Sequence, residues 1–133
     1  MSEYSTLGHG KFKIKYHIIF STKYRRRCLE LIHDSLLAAF KRAESLQKGW
    51  SIDVIETDKD HVHLLVSSTP AISPEEIIHK LKQVSTYDLW KSHYEYLRKF
   101  YWKQHHLWTR GYFCASVGMV SEETIRRYIE NQR

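Results

Sequence analysis

The stretch SIDVIETDKDHVHLLVSS, residues 51–68, decides the fold. Trp50, Ile52 and Val54 alternate with polar residues, which predicts a strand with those three on one face, running to about Glu56. Thr57 to Asp60 is a polar turn, and residues 61–67 predict the returning strand, so the two runs form a hairpin. Val62, Leu64 and Val66 make the better buried set of the second strand. Side chains alternate along a strand, so His61 and His63 share the opposite face, about 7 Å apart at ~3.3 Å per residue. Two neutral imidazoles placed in this way can lean toward one metal ion. They can equally lie on a half-exposed sheet face with no role, and spacing alone leaves both readings open.

Outward from the hairpin, the remaining chain supplies the partners it needs. Phe12, Ile14, Tyr16, Ile18 and Phe20 fall on one side of a predicted strand, with Lys11, Lys13, Lys15 and His17 on the other. Ile32, Leu36, Phe40, Ala43 and Leu46 recur at helical spacing, and Gly49 is a natural stop. Ser73-Pro74-Glu75-Glu76 opens a second helix with a capping box, and Ile77, Leu81 and Val84 form its apolar stripe. Residues 93–108 are aromatic and predict a short helix plus loop, with the rings of 94–108 in the core. Tyr112 to Val117 predicts a fourth strand ending at Gly118, and Ser121-Glu122-Glu123 caps a final helix. The order β-α-β-β-α-β-α gives the class α+β. Its first six elements are a ferredoxin-like βαββαβ antiparallel sheet, followed by an additional C-terminal helix. The two histidines then belong on the face away from the two main helices.

Composition narrows the function classes. A length of 133 residues suits one domain, residues 1–133, with its own core. No apolar run approaches the ~20 residues of a membrane span, and the opening residues lack a signal-peptide core. Cys28 and Cys114 form no CxxC pair and read as reduced thiols of an intracellular, cytoplasmic protein. The chain carries 21 basic and 15 acidic residues, a net charge of +6, with 14% aromatics. That pairing suggests a nucleic-acid partner, with charge for phosphates and rings for unstacked bases, although a solvated basic surface gives the same totals. Lys23-Tyr24-Arg25-Arg26-Arg27 is the densest basic stretch and is the favoured grip on a DNA backbone, against a merely solvated turn. Lys11, Lys13 and Lys15 are a weaker stripe. His105-His106 is a rival histidine cluster left without a role, since adjacent residues seldom converge on one ion.

The final helix carries only Ile125 and Ile129 as an apolar pair, so something must dock it. Tyr128 and Gln132 also stand at i, i+4 and share a face, presenting a phenol beside an amide. Taken by themselves, a tyrosine packed on the sheet and a solvated glutamine account for both.

Together the segments KYHIIFSTKYRRR, DHVHLLV, LWTRGYFCASVG and TIRRYIENQ resemble, in order and over nearly the whole chain, the single-tyrosine transposases of the HUH superfamily. These are the TnpA-type enzymes of insertion sequences; HUH here is His61, Val62, His63. The resemblance implies an enzyme that cleaves and rejoins single-stranded DNA, with hairpins at the element ends, through a 5′-phosphotyrosine intermediate. It implies Tyr128 as catalytic nucleophile on a C-terminal catalytic helix, and His61, His63 and Gln132 as metal ligands. The implied cofactor is Mg²⁺ or Mn²⁺; imidazole ligands favour Mn²⁺ of the two. It also implies a homodimer whose C-terminal helices can be exchanged, with Gly118 as a hinge, in a cytoplasmic protein that joins the nucleoid when bound to DNA. The alternatives are a related HUH nickase that processes genomic palindromes, and a non-catalytic ferredoxin-like nucleic-acid-binding module.

Overall fold

The computed structural model describes residues 13–117 together with Arg127 and Glu130. Lys11, Phe12, Gly118 and the predicted catalytic residues Tyr128 and Gln132 lie outside the described residues. The elements run β1 (Ile14–Ser21), α1 (His33–Leu46), β2 (Trp50–Thr57), β3 (His61–Ser68), α2 (Pro74–Ser92), α3 (Tyr94–Leu97) and β4 (Phe113–Ser116). The strands form one sheet in the order β2-β3-β1-β4, antiparallel throughout. This is the expected ferredoxin-like arrangement, reached because β1 inserts between the hairpin and β4.

One sheet face is buried by helices. Ile18 and Phe20 of β1 and Val62, Leu64 and Val66 of β3 are essentially inaccessible, as are Leu36 and Phe40 of α1 and Ile77 and Leu81 of α2. Each large side chain so buried contributes roughly 1.5–3 kcal/mol from removing apolar surface from water. Phe20 meets Trp108 and Phe40 edge-on, at centroid distances of 4.7 and 6.2 Å. Trp108 donates its indole N–H to the buried Ser85 hydroxyl at 2.8 Å, and Ser85 donates in turn to the Leu81 carbonyl, so this buried polar pair is satisfied. Helix α2 starts as its sequence requires. The Ser73 hydroxyl accepts from the Glu76 amide while the Glu76 carboxylate accepts from the Ser73 amide, with Pro74 in the first turn.

Three expectations need correction. Val54 does not share a face with Trp50 and Ile52; it is 46% exposed. A bulge between Ile52 and Val54 inserts Asp53 as an extra residue, which shifts the alternation by one and sends Ile55 to the core instead. The Asp53 carboxylate then accepts from Lys15 Nζ at 3.0 Å and from Ser67 Oγ at 2.5 Å, so the lysine stripe expected for DNA is partly neutralised within the sheet. Leu46 ends α1 with half its surface in solvent, beyond the reach of the core stripe that closes at Ala43. Among the aromatics of 94–108, Tyr101 and Trp108 are core, but Tyr94 and Trp102 are exposed. Gly49, past the end of α1, has φ +106°, and a Cβ there would meet Ile72 Cγ1 at 3.0 Å, so glycine is required by both backbone and neighbour.

Candidate active site and nucleic-acid interface

β3 places His61 and His63 on the sheet face away from α1 and α2, because Val62, Leu64 and Val66 occupy the helix side. His61 is buried and His63 half-buried. Each imidazole is held through Nδ1 by a carboxylate. His61 Nδ1 lies 3.0 Å from Asp60 Oδ1, and His63 Nδ1 lies 3.3 Å from Glu56 Oε1. A carboxylate on one ring nitrogen fixes the tautomer and leaves the other nitrogen as a lone-pair donor. His61 Nε2 is thereby set up as a ligand. His63 Nε2 instead sits 3.2 Å from Nδ1 of His17, which stands on β1 two pairs along the ladder and so on the same face. The two rings are 5.4 Å apart, tilted by 32°.

The donor set fits half of a metal site. Two imidazoles with carboxylate-backed Nδ1 atoms are what an octahedral or tetrahedral divalent ion takes from a strand. Among the described residues no group of three or more His, Cys, Asp or Glu side chains is arranged to hold a metal ion. The glutamine named as third ligand is of a different type and lies outside the described residues. His17, Asp60 and Glu56 were not picked out from the sequence as site residues. Asp60 carries a signal in hindsight, since it directly precedes the first histidine. His17 becomes visible only once the β1–β3 register is known.

The basic segment follows β1 as a single 3-10 turn, Lys23–Arg25. Tyr24 and Arg25 both have positive φ, 59° and 55°, a left-handed pair that costs energy in residues with a Cβ. Several bonds offset the strain. Tyr101 Oη donates to the Lys23 carbonyl at 2.7 Å, Lys23 N donates to the Leu107 carbonyl at 2.8 Å, and Thr22 Oγ1 donates to the Arg26 carbonyl at 2.7 Å. The turn thrusts Tyr24 into solvent, with the Lys23 and Arg26 cations 5.3 and 5.6 Å from its ring centroid. Arg26 and Arg27 are exposed. Arg25 is not part of the outward grip that the sequence suggested: its guanidinium turns inward to Asp60 Oδ2 at 3.2 Å, at ion-pair distance but without hydrogen-bond alignment. One carboxylate, Asp60, therefore touches both the basic turn and the histidine strand.

Burial separates the tyrosines. Desolvation raises the phenol pKa of Tyr16, Tyr96 and, most strongly, Tyr101, so these three are poor sources of a phenolate. On the helix side, Lys82 donates to the carbonyls of Thr109, Arg110 and Gly111 at 2.9 to 3.2 Å, and burial lowers its pKa to about 8.

The structure sets a ferredoxin-like sheet, an imidazole pair on the face away from α1 and α2, and a basic turn beside it, and the relatives of this chain are transposases. Residues 10–132 match the family described as "Transposase IS200 like", and the chain belongs to that family. It is 29% identical over 132 residues to the transposase for insertion sequence element IS200 of Salmonella typhimurium strain LT2, covering 99% of this chain and 85% of the relative. Its fold is similar to the crystal structure of a candidate transposase from Deinococcus radiodurans R1, with TM-score 0.75, 31% identity and 92% of each chain covered. A REP-associated tyrosine transposase bound to a REP hairpin shares the fold at TM-score 0.58 and 9% identity, over 88% of this chain and 62% of that one. Among the described residues no helix is long and apolar enough to cross a membrane.

Proposed function

We propose that this transposase cuts and rejoins single-stranded DNA at insertion-sequence ends, with Tyr128 as nucleophile and His61, His63 and Gln132 as the holders of a divalent ion, Mg²⁺ or Mn²⁺. The observation that carries the reading is the pair of carboxylate-backed imidazoles on the sheet face away from α1 and α2. In the reaction, Tyr128 Oη attacks the scissile phosphorus and loses its proton. The P–O3′ bond breaks, and the 3′ oxygen leaves with a proton as a free hydroxyl. The 5′-phosphotyrosine conserves the ester, so a second 3′-hydroxyl can displace the tyrosine and rejoin the strand without ATP. A bound divalent ion would polarise the phosphate oxygen and stabilise the leaving one. The protein's own task is positional. Asp60 accepts from His61 Nδ1–H, which leaves the lone pair on Nε2, and ties Arg25, and with it the basic turn, to the site. Lys23, Arg26 and Arg27 supply charge for phosphates beside that site.

The DNA substrate is a strand with a hairpin at each element end, a reading in keeping with the hairpin bound by the REP-associated enzyme of the same fold. The active form is a homodimer, with the Tyr128 helix able to complete the partner's histidine site. The decisive test is a denaturing gel after incubation with a hairpin oligonucleotide and Mn²⁺. Wild type gives a covalent protein–DNA adduct; Tyr128→Phe binds the oligonucleotide and gives none. An adduct from Tyr128→Phe would remove this tyrosine from the mechanism, and no adduct from the wild type would leave a binding module. Mixing Tyr128→Phe with His61→Ala restores single-end cleavage if the tyrosine works across the dimer.

A further inference from the structure

The helix side of the molecule carries a second aromatic surface that catalysis does not use. Between α2 and the segment 105–108 runs an open groove lined by His79, Gln83, Tyr87, Trp90, Lys91 and His105, among others. Its floor is rigid. Trp90 is 4% exposed, and its indole N–H donates to the His106 carbonyl at 2.8 Å. The His105 ring lies flat on Trp90, 4.1 Å between centroids at 5°, and is itself exposed on the outside. Tyr87, 62% exposed, stands on the same helix with the Lys91 ammonium 5.9 Å from its ring. No residue lining this groove is acidic. Another groove, beside α1, is lined by Glu30, Asp34 and Asp58 together with Lys59, so the difference in charge between the two is local and not a uniform excess.

The groove joins the basic turn without a break. Tyr24 meets His106 edge-on at 6.3 Å, Lys23 is hydrogen-bonded to the Leu107 carbonyl, and Thr22 bridges to Trp108. From the other end of the turn, Arg25 reaches Asp60 and so His61. Exposed flat rings, with cations beside Tyr24 and Tyr87, suit bases whose faces are open. Paired bases keep their faces stacked and have no use for such a platform. Arg98 near Tyr94 is already paired with Glu95 and is not counted.

We propose that an unpaired DNA strand leaving the histidine site crosses the turn at Tyr24 and runs into the α2 groove, where its bases stack on Tyr24, His105 and Tyr87. The strand's phosphates face Lys23, Arg26 and Lys91. The track rests on the reading of the protein as a single-strand transposase, and deepens it by assigning the unpaired flank a separate site from the metal face.

The test uses the full chain and two oligonucleotides, a hairpin alone and the same hairpin with an unpaired flank carrying 2-aminopurine at successive positions. With the wild type, 2-aminopurine fluorescence is quenched at particular flank positions. His105→Ala combined with Tyr87→Ala abolishes that quenching and weakens binding of the flanked oligonucleotide by about tenfold or more, with hairpin affinity unchanged. His105→Phe keeps a ring on Trp90 and retains the quenching, which separates stacking from a folding defect. Equal affinity of wild type and double variant for the flanked oligonucleotide overturns the track. Equal weakening of both oligonucleotides overturns it as well. A change of sedimentation coefficient with DNA affinity intact reassigns the groove to contact between protein copies. If the wild type forms the Tyr128 adduct while the double variant binds normally, the track alone fails; if the wild type binds neither oligonucleotide, the transposase reading fails with it.

Discussion

His61 and His63 stand one residue apart on a strand; His105 and His106 adjoin in a loop. On β3 the pleat sends both rings to one face, and each finds a carboxylate at Nδ1. In the loop the two rings diverge. His105 lies on Trp90, while His106 turns edge-on toward Tyr24 and Tyr101. The first pair presents nitrogens, the second presents ring faces. The same residue type is therefore backed by carboxylates in one place and stacked on a ring in the other, and the backbone period decides which.

The largest expected effect falls on the strand pair. His61→Ala or His63→Ala should reduce cleavage by on the order of 10²–10³-fold, the scale of losing a preorganised electrostatic group, and should abolish tight Mn²⁺ binding in a calorimetric titration. His105→Ala should leave Mn²⁺ affinity unchanged. Loss of metal binding in that loop variant would break the distinction between the pairs.

Next in size is Asp60→Asn. Removing the charge beside His61 Nδ1 should weaken Mn²⁺ affinity by about 10–100-fold, as for other partners of metal-bound histidines, and lower the melting temperature because Arg25 loses its counter-ion. An unaltered Mn²⁺ affinity would reduce Asp60 to a structural tie for Arg25.

His17→Ala sharpens the comparison in the opposite direction. His17 occupies His63 Nε2, the nitrogen an ion would need. Removing that competitor should raise Mn²⁺ affinity by roughly 2–10-fold, the worth of one net hydrogen bond. A fall in affinity would make His17 a ligand in its own right.

The smallest effect lies on the loop pair's side. Lys82 has a folded pKa of about 8 against 10.5 for the free side chain. Between those values the unfolded chain binds the extra proton, so stability rises with pH across that window; below pH 8 both states are protonated and Lys82 adds no slope. Lys82→Met should flatten the slope in denaturation curves measured from pH 8 to 10. An identical slope in the variant would assign the dependence to another group.

The sheet, its two long helices and the face carrying the histidines were legible in the sequence because each is written in a local period. Val62, Leu64 and Val66 against His61 and His63 need no tertiary information. Val54 was misread because a bulge leaves no mark in an alternating pattern; only the pairing with Leu65 reveals it. His17 was hidden for a related reason. Its neighbours Lys13 and Lys15 made it look like one more solvated residue, whereas the register across β1 and β3 brings it to His63. Arg25 reads as a free cation among three others, Lys23, Arg26 and Arg27, and its inward turn depends on a left-handed backbone that no propensity favours there. Tyr128 and Gln132 rest on the resemblance and on membership of the family.

The Asp53 bulge has a consequence for how these molecules meet one another in solution. β2 is an outer strand of the sheet, with one row of backbone amides and carbonyls unpaired by any described strand. A flat outer strand is a template on which a second copy can dock and start an open-ended stack. The extra residue interrupts the even spacing of the outward groups of β2, as a bulge that bends its strand does. Uncontrolled edge-to-edge growth through β2 is thereby discouraged, by one residue.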